Sequence, residues 1–150
     1  MKEIKIVCVG KIKEKYFSDG IDYYLKIIRK KCPVSLLECA DEPTPDKASP
    51  AEERKIRETE GERILQKINR EDYVIALSIN GKHYDTASWQ KRMSLLAEKT
   101  ADNLVFVIGG SLGLSESVLK RAEEELSFSA MTFPHQMMRL ILLEQLARSI

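Results

Sequence analysis

The stretch FSAMTFPHQMMRLILLEQLARSI, residues 128–150, stands at the end of the sequence, and its pattern constrains how the other elements pack around it. An apolar segment, Phe128–Phe133, predicts a strand. A Pro-His pair at 134–135 follows, and then a helix begins that is apolar nearly all round, although Arg139 is set into its second turn. A helix that is apolar on every side is buried on every side. The pattern therefore predicts the protein core on one side of this helix and a partner subunit on another.

Strand and helix signals alternate along the rest of the chain. Short β-branched or apolar runs predict strands, and longer segments with apolar residues on one face predict helices. The predicted strands are 4–9, 34–39, 73–79, 104–108 and 128–133, and the predicted helices are about 18–31, 50–69, 87–99, 115–126 and from 135 onward. This alternation predicts one α/β domain over residues 1–150, with a mostly parallel sheet sandwiched by helices.

Composition narrows the function classes. The 150 residues carry a formal net charge of +1, which argues against a generally basic nucleic-acid coat, so RNA contact would come from a local patch or a second subunit. No segment approaches the ~18 apolar residues of a membrane span, and early charges interrupt any signal peptide. Three cysteines without a CxxC pair and two histidines argue against a metal site. We expect a reduced, cytoplasmic, metal-free protein.

A glycine-rich loop follows the fourth predicted strand. VFVIGGSLGLSES, residues 105–117, has glycines at 109, 110 and 113, where a doubly wound sheet binds its ligands. The spacing fits neither GxGxxG nor GxxxxGK[ST], which argues against a dinucleotide-binding regulator or oxidoreductase and against a triphosphate site. Two interpretations stay open: close approach of the backbone to a ligand, and a turn that serves only tight strand-to-helix packing.

Three segments together resemble a known family. VIALSINGK (74–82), FVIGGSLGL (106–114) and LSFSAMTFPHQMMRLILLEQL (126–146) closely resemble the YbeA-like, or ribosomal RNA large subunit methyltransferase H (RlmH), family of SPOUT-class enzymes, and the likeness covers essentially the whole chain. The resemblance implies transfer of a methyl group from S-adenosyl-L-methionine to N3 of a pseudouridine in large-subunit (23S) ribosomal RNA of the assembled ribosome. It also implies a homodimer and a C-terminal trefoil knot.

The resemblance implies a cofactor site built largely from backbone. The family's contacts match Leu77, Gly109 and the six residues before the Pro-His pair, which are Phe128, Ser129, Ala130, Met131, Thr132 and Phe133. Backbone N–H and C=O groups can hydrogen-bond an adenine ring, so an apolar segment can still form a polar ligand site.

His135 and Arg139 are the candidate catalytic residues. They lie one helical turn apart and so share one side of the last helix. A neutral imidazole can accept the proton that a ring nitrogen loses on methylation. The alternatives are that His135 only hydrogen-bonds backbone and that Arg139 pairs with a carboxylate. Lys11, Lys13 and Lys15 are either phosphate contacts or a solvated loop.

The end of the sequence departs from the family pattern. Family members continue after EQL with a tail resembling YRA…G…YHK, whereas this sequence reads EQLARSI. The tail would supply a tyrosine, a histidine and basic groups near the RNA. The alternative function is therefore a relative that binds the cofactor but is impaired in methyl transfer.

Overall fold

The computed structural model describes residues 1–150. Five strands and five helices alternate along the chain: β1 Ile4–Val9, α1 Lys15–Arg29, β2 Val34–Cys39, α2 Pro50–Leu65, β3 Tyr73–His83, α3 Thr86–Lys99, β4 Leu104–Ile108, α4 Glu116–Arg121, β5 Glu124–Ser127 and α5 His135–Ser149.

All five strands form one parallel sheet in the order β2-β1-β4-β3-β5. Helices cover both faces, which is why every residue of the central strand β4 is buried and why the strands read as nearly continuous apolar runs. The predicted class, an α/β domain with a parallel sheet sandwiched by helices, is confirmed. Because the strands are parallel, their carboxyl ends meet along one side of the sheet, which we call the carboxyl edge.

The core has two parts, one on each face of the sheet. On one face, α1, α3 and α5 pack against residues such as Ile6, Phe106 and Leu126. On the other face, α2 and α4 pack against a smaller cluster that includes Val7 and Val107. Consecutive residues of β1 and β4 thus serve opposite cores, as the two-residue period of a strand requires.

The prediction for the fifth strand was wrong. The strand is Glu124–Ser127, residues 128–133 form a loop, and α4 ends at Arg121 instead of continuing to 126. Periodicity missed this strand because it lies at the sheet edge, where charged residues are tolerated. Arg92 donates to the Glu124 carboxylate at 2.6 Å, and the Tyr73 hydroxyl donates to it at 2.7 Å, so this carboxylate is satisfied beside the sheet.

Strand β3 continues through Asn80 and Gly81, beyond residue 79, where the sequence predicted its end. Leu77 and Lys82 both lie opposite Leu126 of β5, so the residues between them form an irregularity in the strand. A Cβ atom on Gly81 would lie 2.6 Å from the carbonyl carbon of Glu125. A glycine is therefore required where the irregular part of β3 approaches the backbone of β5.

Helix α5 runs parallel to α1 and packs against both α1 and α3. Near its start, the Gln136 side chain accepts a hydrogen bond from the Lys13 N–H at 3.3 Å, and at its end the Lys31 ammonium meets the Ile150 carbonyl. Leu142, Leu143 and Leu146 are fully buried. The predicted core-facing side of this helix is confirmed, while residues such as Met137 and Ile141 stay partly exposed on its other side.

Candidate functional site

The predicted cofactor residues lie in or directly after three neighbouring strands. Leu77 ends the regular pairing of β3 with β5, Gly109 comes directly after β4, and residues 128–133 come directly after β5. Since the sheet order is β4-β3-β5, the structure brings all three to adjacent places on the carboxyl edge. This is the edge at which open α/β sheets bind ligands.

The backbone of residues 128–133 is not paired with other backbone. None of these six residues makes a backbone–backbone hydrogen bond. Side chains make two hydrogen bonds to this backbone. The Ser129 hydroxyl accepts from the Met131 N–H at 3.0 Å, and the Ser127 hydroxyl donates to the Ser129 carbonyl at 3.0 Å. Buried backbone polar groups are nearly always paired, whereas this segment is partly exposed, so its donors and acceptors are open to water or to a ligand.

The glycine loop is held by its own backbone. A Cβ atom on Gly109 would lie 2.8 Å from the carbonyl carbon of Gly113, and the Gly113 N–H donates to the Gly110 carbonyl at 3.1 Å. Gly113 has a φ of +85°, in the region that favours glycine. Close packing inside the loop therefore requires Gly109, whether or not a ligand also approaches it.

A buried carboxyl group lies against this loop, and it was not predicted from the sequence. Glu60 of α2 is 5% exposed, and its Oε1 would lie 3.2 Å from a Cβ on Gly110. Its Oε2 accepts from the Glu42 N–H at 3.0 Å, and burial raises the pKa of the carboxyl. The only sequence signal was a glycine at the next position, which lets α2 approach the Ser115 side chain closely.

His135 begins α5 and lies against Gly10, the residue that follows β1. The ring Cε1 would be 3.3 Å from a Cβ on Gly10, whose φ is +90°. The ring Nδ1 is buried without a hydrogen-bond partner, whereas Nε2 reaches solvent. Burial lowers the pKa of the imidazole, and the Arg139 cation lowers it further. His135 is therefore a neutral imidazole at pH 7, with one nitrogen facing outward.

Arg139 is fully buried. Its Nη1 donates to Glu38 Oε2 at 2.7 Å, and its Nη2 donates to the Gly10 carbonyl at 3.2 Å. The guanidinium thus pairs with a partly exposed carboxylate, which is the second of the two interpretations of Arg139 made from the sequence, and the guanidinium itself does not reach an RNA-accessible surface. The sequence analysis missed Glu38, for which the only signal was a single charge in the apolar strand VSLLEC.

The lysine loop, which we define as residues 11–15, extends the site toward solvent. Lys11, Lys13 and Lys15 are all exposed, and the Lys13 backbone is attached to α5 through Gln136. Lys13 thus lies at the start of α5, near His135, and Lys11 and Lys15 are two residues away from it along the chain. This arrangement is suited to contacts with a polyanion.

A cavity of about 260 Å³ lies beside the segment 128–133. Phe128 and Phe133 line it together with Ile141 and Gln145 of α5. Trp89 also lines it, and the buried indole N–H of Trp89 has no acceptor. No group of three or more His, Cys, Asp or Glu side chains could hold a metal ion. None of the helices is long and apolar enough to cross a membrane.

Sequence comparisons agree with this geometry. The family model described as Predicted SPOUT methyltransferase matches residues 1–150. Among curated proteins, the ribosomal RNA large subunit methyltransferase H of Clostridioides difficile is 53% identical over 146 residues, and that of Enterococcus faecalis is 48% identical over 146 residues; each alignment covers 97% of this chain and 92% of the relative. The enzyme of Streptococcus pneumoniae with the same name is 49% identical over 147 residues, with 98% and 92% covered.

The family model matches the full chain, and the relatives are about half identical to it over nearly all of its length. The five-stranded parallel sheet agrees with both findings. This chain belongs to the SPOUT methyltransferase family.

Proposed function

We propose that this protein transfers a methyl group from S-adenosylmethionine to N3 of a pseudouridine in large-subunit ribosomal RNA, acting on the assembled ribosome in the cytoplasm. The names of the relatives support ribosomal RNA as the substrate. The observation that carries the proposal is the unpaired backbone of residues 128–133, adjacent to Gly109 and Leu77 on the carboxyl edge.

The cofactor half of the site consists of Leu77, Gly109 and residues 128–133. Unpaired N–H and C=O groups can hydrogen-bond both edges of an adenine, and the partly buried Leu77 and Phe128 offer apolar contact to its faces. When bound, S-adenosylmethionine supplies an electrophilic methyl group on a sulfonium. The residues present fit this cofactor because the site offers neutral donors and acceptors, as an adenosine requires.

The acceptor half consists of His135 and the lysine loop. The target nitrogen must lose its proton before it can take a methyl group, and the outward Nε2 of a neutral imidazole can accept that proton or a hydrogen bond from the base. Lys11, Lys13 and Lys15 would contact phosphates around the target nucleotide. Arg139 contributes from inside the protein, through its contacts to Glu38 and Gly10.

We also propose a homodimer through the outer surface of α1 and α5. Tyr16 and Tyr23 of α1 are 70% and 61% exposed, and Met137 and Ile141 of the adjacent α5 are partly exposed. Large apolar side chains on neighbouring helices are typical of an interface core. A sedimentation experiment that gives a clean monomer at micromolar concentration would contradict this part of the proposal.

The knotted path of the C-terminal region is part of the same proposal. After the edge strand β5, the chain does not stay at that edge, because α5 packs against α1, α3 and β4 instead. Such a return over the middle of the sheet is compatible with the family's trefoil knot, and it positions residues 128–133 across the ends of the strands.

The test removes one backbone N–H donor from the cofactor half. Ala130→Pro removes an N–H at an exposed position, while Ala130→Ser keeps it. By calorimetry we expect one S-adenosylmethionine site per chain in the parent and in Ala130→Ser, and at least ~10-fold weaker binding in Ala130→Pro, as one lost hydrogen bond or a displaced segment would give. A preference of the parent for NAD would contradict the proposal.

Methyl transfer is measured separately, by incorporation of tritiated methyl into ribosomes that lack the modification. Incorporation into a pseudouridine of the large-subunit RNA supports the full proposal. Binding of S-adenosylmethionine without incorporation supports the alternative, a cofactor-binding relative with impaired transfer.

A further inference from the structure

The start of α5 meets the ends of β1 and β2 at a group of four residues, two of which, Gly10 and Arg139, are buried. We call this group, Gly10, Glu38, His135 and Arg139, the Gly10 clamp. Arg139 bridges Glu38 of β2 and the carbonyl of Gly10, at 2.7 Å and 3.2 Å. His135, on the preceding turn of the same helix, lies against Gly10.

Gly10 is held from both sides. Its N–H donates to the Cys39 carbonyl at 2.9 Å, and its carbonyl accepts from Arg139. Its φ of +90° turns the chain there, and the His135 ring lies so close that a side chain at position 10 would contact it. The imidazole thus packs against the turn at Gly10, and Arg139 donates a hydrogen bond to the carbonyl of the same turn.

Charged groups face His135 from three elements. Arg139 lies on α5, Lys13 on the loop after β1, and Asp41 on the loop after β2. Burial lowers the pKa of His135 most, Arg139 and Lys13 lower it further, and Asp41 raises it. Arg139 thus acts on His135 in two ways, by fixing the turn that supports the ring and by disfavouring the imidazolium.

We propose that Arg139 is a positioning residue, which holds the imidazole of His135 in place through Glu38 and the Gly10 carbonyl and touches neither RNA nor cofactor. This inference rests on the proposed function in one respect, the role of His135 in the acceptor half. A fully buried guanidinium with two fixed partners cannot also bind a phosphate at the surface. It can, however, determine where a catalytic side chain stands, and a misplacement of ~1 Å can cost ~100-fold in rate.

The experiment separates the charge of Arg139 from its contacts. Arg139→Met removes both, whereas Arg139→Lys keeps the charge but cannot make the same paired contacts. Arg148→Met is the matched control, because Arg148 is an exposed arginine near the end of the same helix. Histidine resonances are titrated by NMR, with the exposed His83 as internal reference, and S-adenosylmethionine affinity and ribosome methylation are measured on the same proteins.

We expect Arg139→Met to raise the pKa of His135 and Arg139→Lys to leave it low. Both variants should lower kcat for methyl transfer by about 10- to 100-fold, with KM for ribosomes and the Kd for S-adenosylmethionine unchanged. Arg148→Met should match the parent in every readout. A raised KM with a smaller salt dependence of ribosome binding would show that Arg139 contacts a phosphate and would overturn the proposal.

An unchanged His135 titration together with an unchanged kcat would also overturn it. Should Arg139→Met not fold, Glu38→Gln is the second probe, because Glu38 is 39% exposed and its loss leaves the guanidinium without its partner charge. Glu38→Gln should shift the His135 resonance and not that of His83; no shift contradicts the clamp. If the parent neither binds S-adenosylmethionine nor methylates ribosomes, the proposed function fails, while the NMR titration still decides the role of Arg139.

Discussion

The two halves of the carboxyl edge are built from different parts of the polypeptide. At the ends of β3, β4 and β5, the candidate cofactor half offers unpaired backbone groups in a largely exposed segment. At the ends of β1 and β2, the candidate acceptor half depends on side chains, because its half-buried histidine belongs to the Gly10 clamp together with a fully buried arginine and the carboxylate partner of that arginine. The first half should depend on backbone conformation and tolerate changes of side chain, and the second should depend on a few named side chains.

The largest effect we expect is that of Gly109→Val in the cofactor half. The new side chain would begin 2.8 Å from the backbone of Gly113, so the loop must move, and we expect a loss of about 3 kcal/mol in the free energy of unfolding and no measurable S-adenosylmethionine binding. Denaturant unfolding and calorimetry measure both quantities.

Gly113→Ala is the matched control for this prediction. Position 113 has open space for a Cβ but a φ of +85°, so it tests backbone conformation without a clash. We expect a loss of about 1 kcal/mol in stability. Equal effects of the two variants would show that φ at 113, and not packing at 109, governs the loop.

The next largest effect should come from the acceptor half. Glu38→Ala leaves the buried Arg139 cation without its carboxylate, which destabilises a folded protein. We expect about 2 kcal/mol, below the full cost for a buried pair because water reaches Glu38. The Kd for S-adenosylmethionine should not change, since the cofactor half contains none of these side chains; a large change would show that the two halves are not independent.

Glu144→Ala is the control for the loss of a carboxylate. Glu144 pairs with the exposed Arg148 one helical turn away, and such pairs contribute about 0.5 kcal/mol or less. Equal destabilisation by Glu38→Ala and Glu144→Ala would contradict the importance of the buried pair.

The smallest effect is the pH dependence of stability from His135. Its pKa is lower in the folded protein than the ordinary value of ~6.5, because of burial and then Arg139. The unfolded chain therefore binds the proton more readily, so the stability contribution is complete above pH ~6.5 and is lost as pH falls toward the lowered value. His135→Gln should remove this part of the pH dependence, as measured by thermal unfolding between pH 5 and 7. An unchanged profile would show that His135 is not desolvated.

The outline of the fold could be predicted because it depends on local patterns. Apolar runs in β1 and β4 and the one-faced helix α1 have periods that can be read from neighbouring residues. The same reasoning misassigned residues 128–133, because apolar residues that precede a buried helix look like a strand. It missed β5, whose Glu124 carboxylate is hydrogen-bonded by Arg92 and Tyr73 from other elements.

By itself, the sequence determined the order of strands and helices and the parallel sheet, and the family resemblance predicted the segments of the candidate cofactor half. Only the tertiary structure decided that Arg139 pairs with Glu38, 101 residues earlier, and that His135 lies against Gly10. The physical reason is the range of the interactions. Periodicity records which face of an element is buried, whereas partners of a buried charge are decided by which strand ends become neighbours when the sheet forms. The residues of both candidate halves could therefore be named from the sequence, but the contacts that hold His135 and Arg139 in place could not.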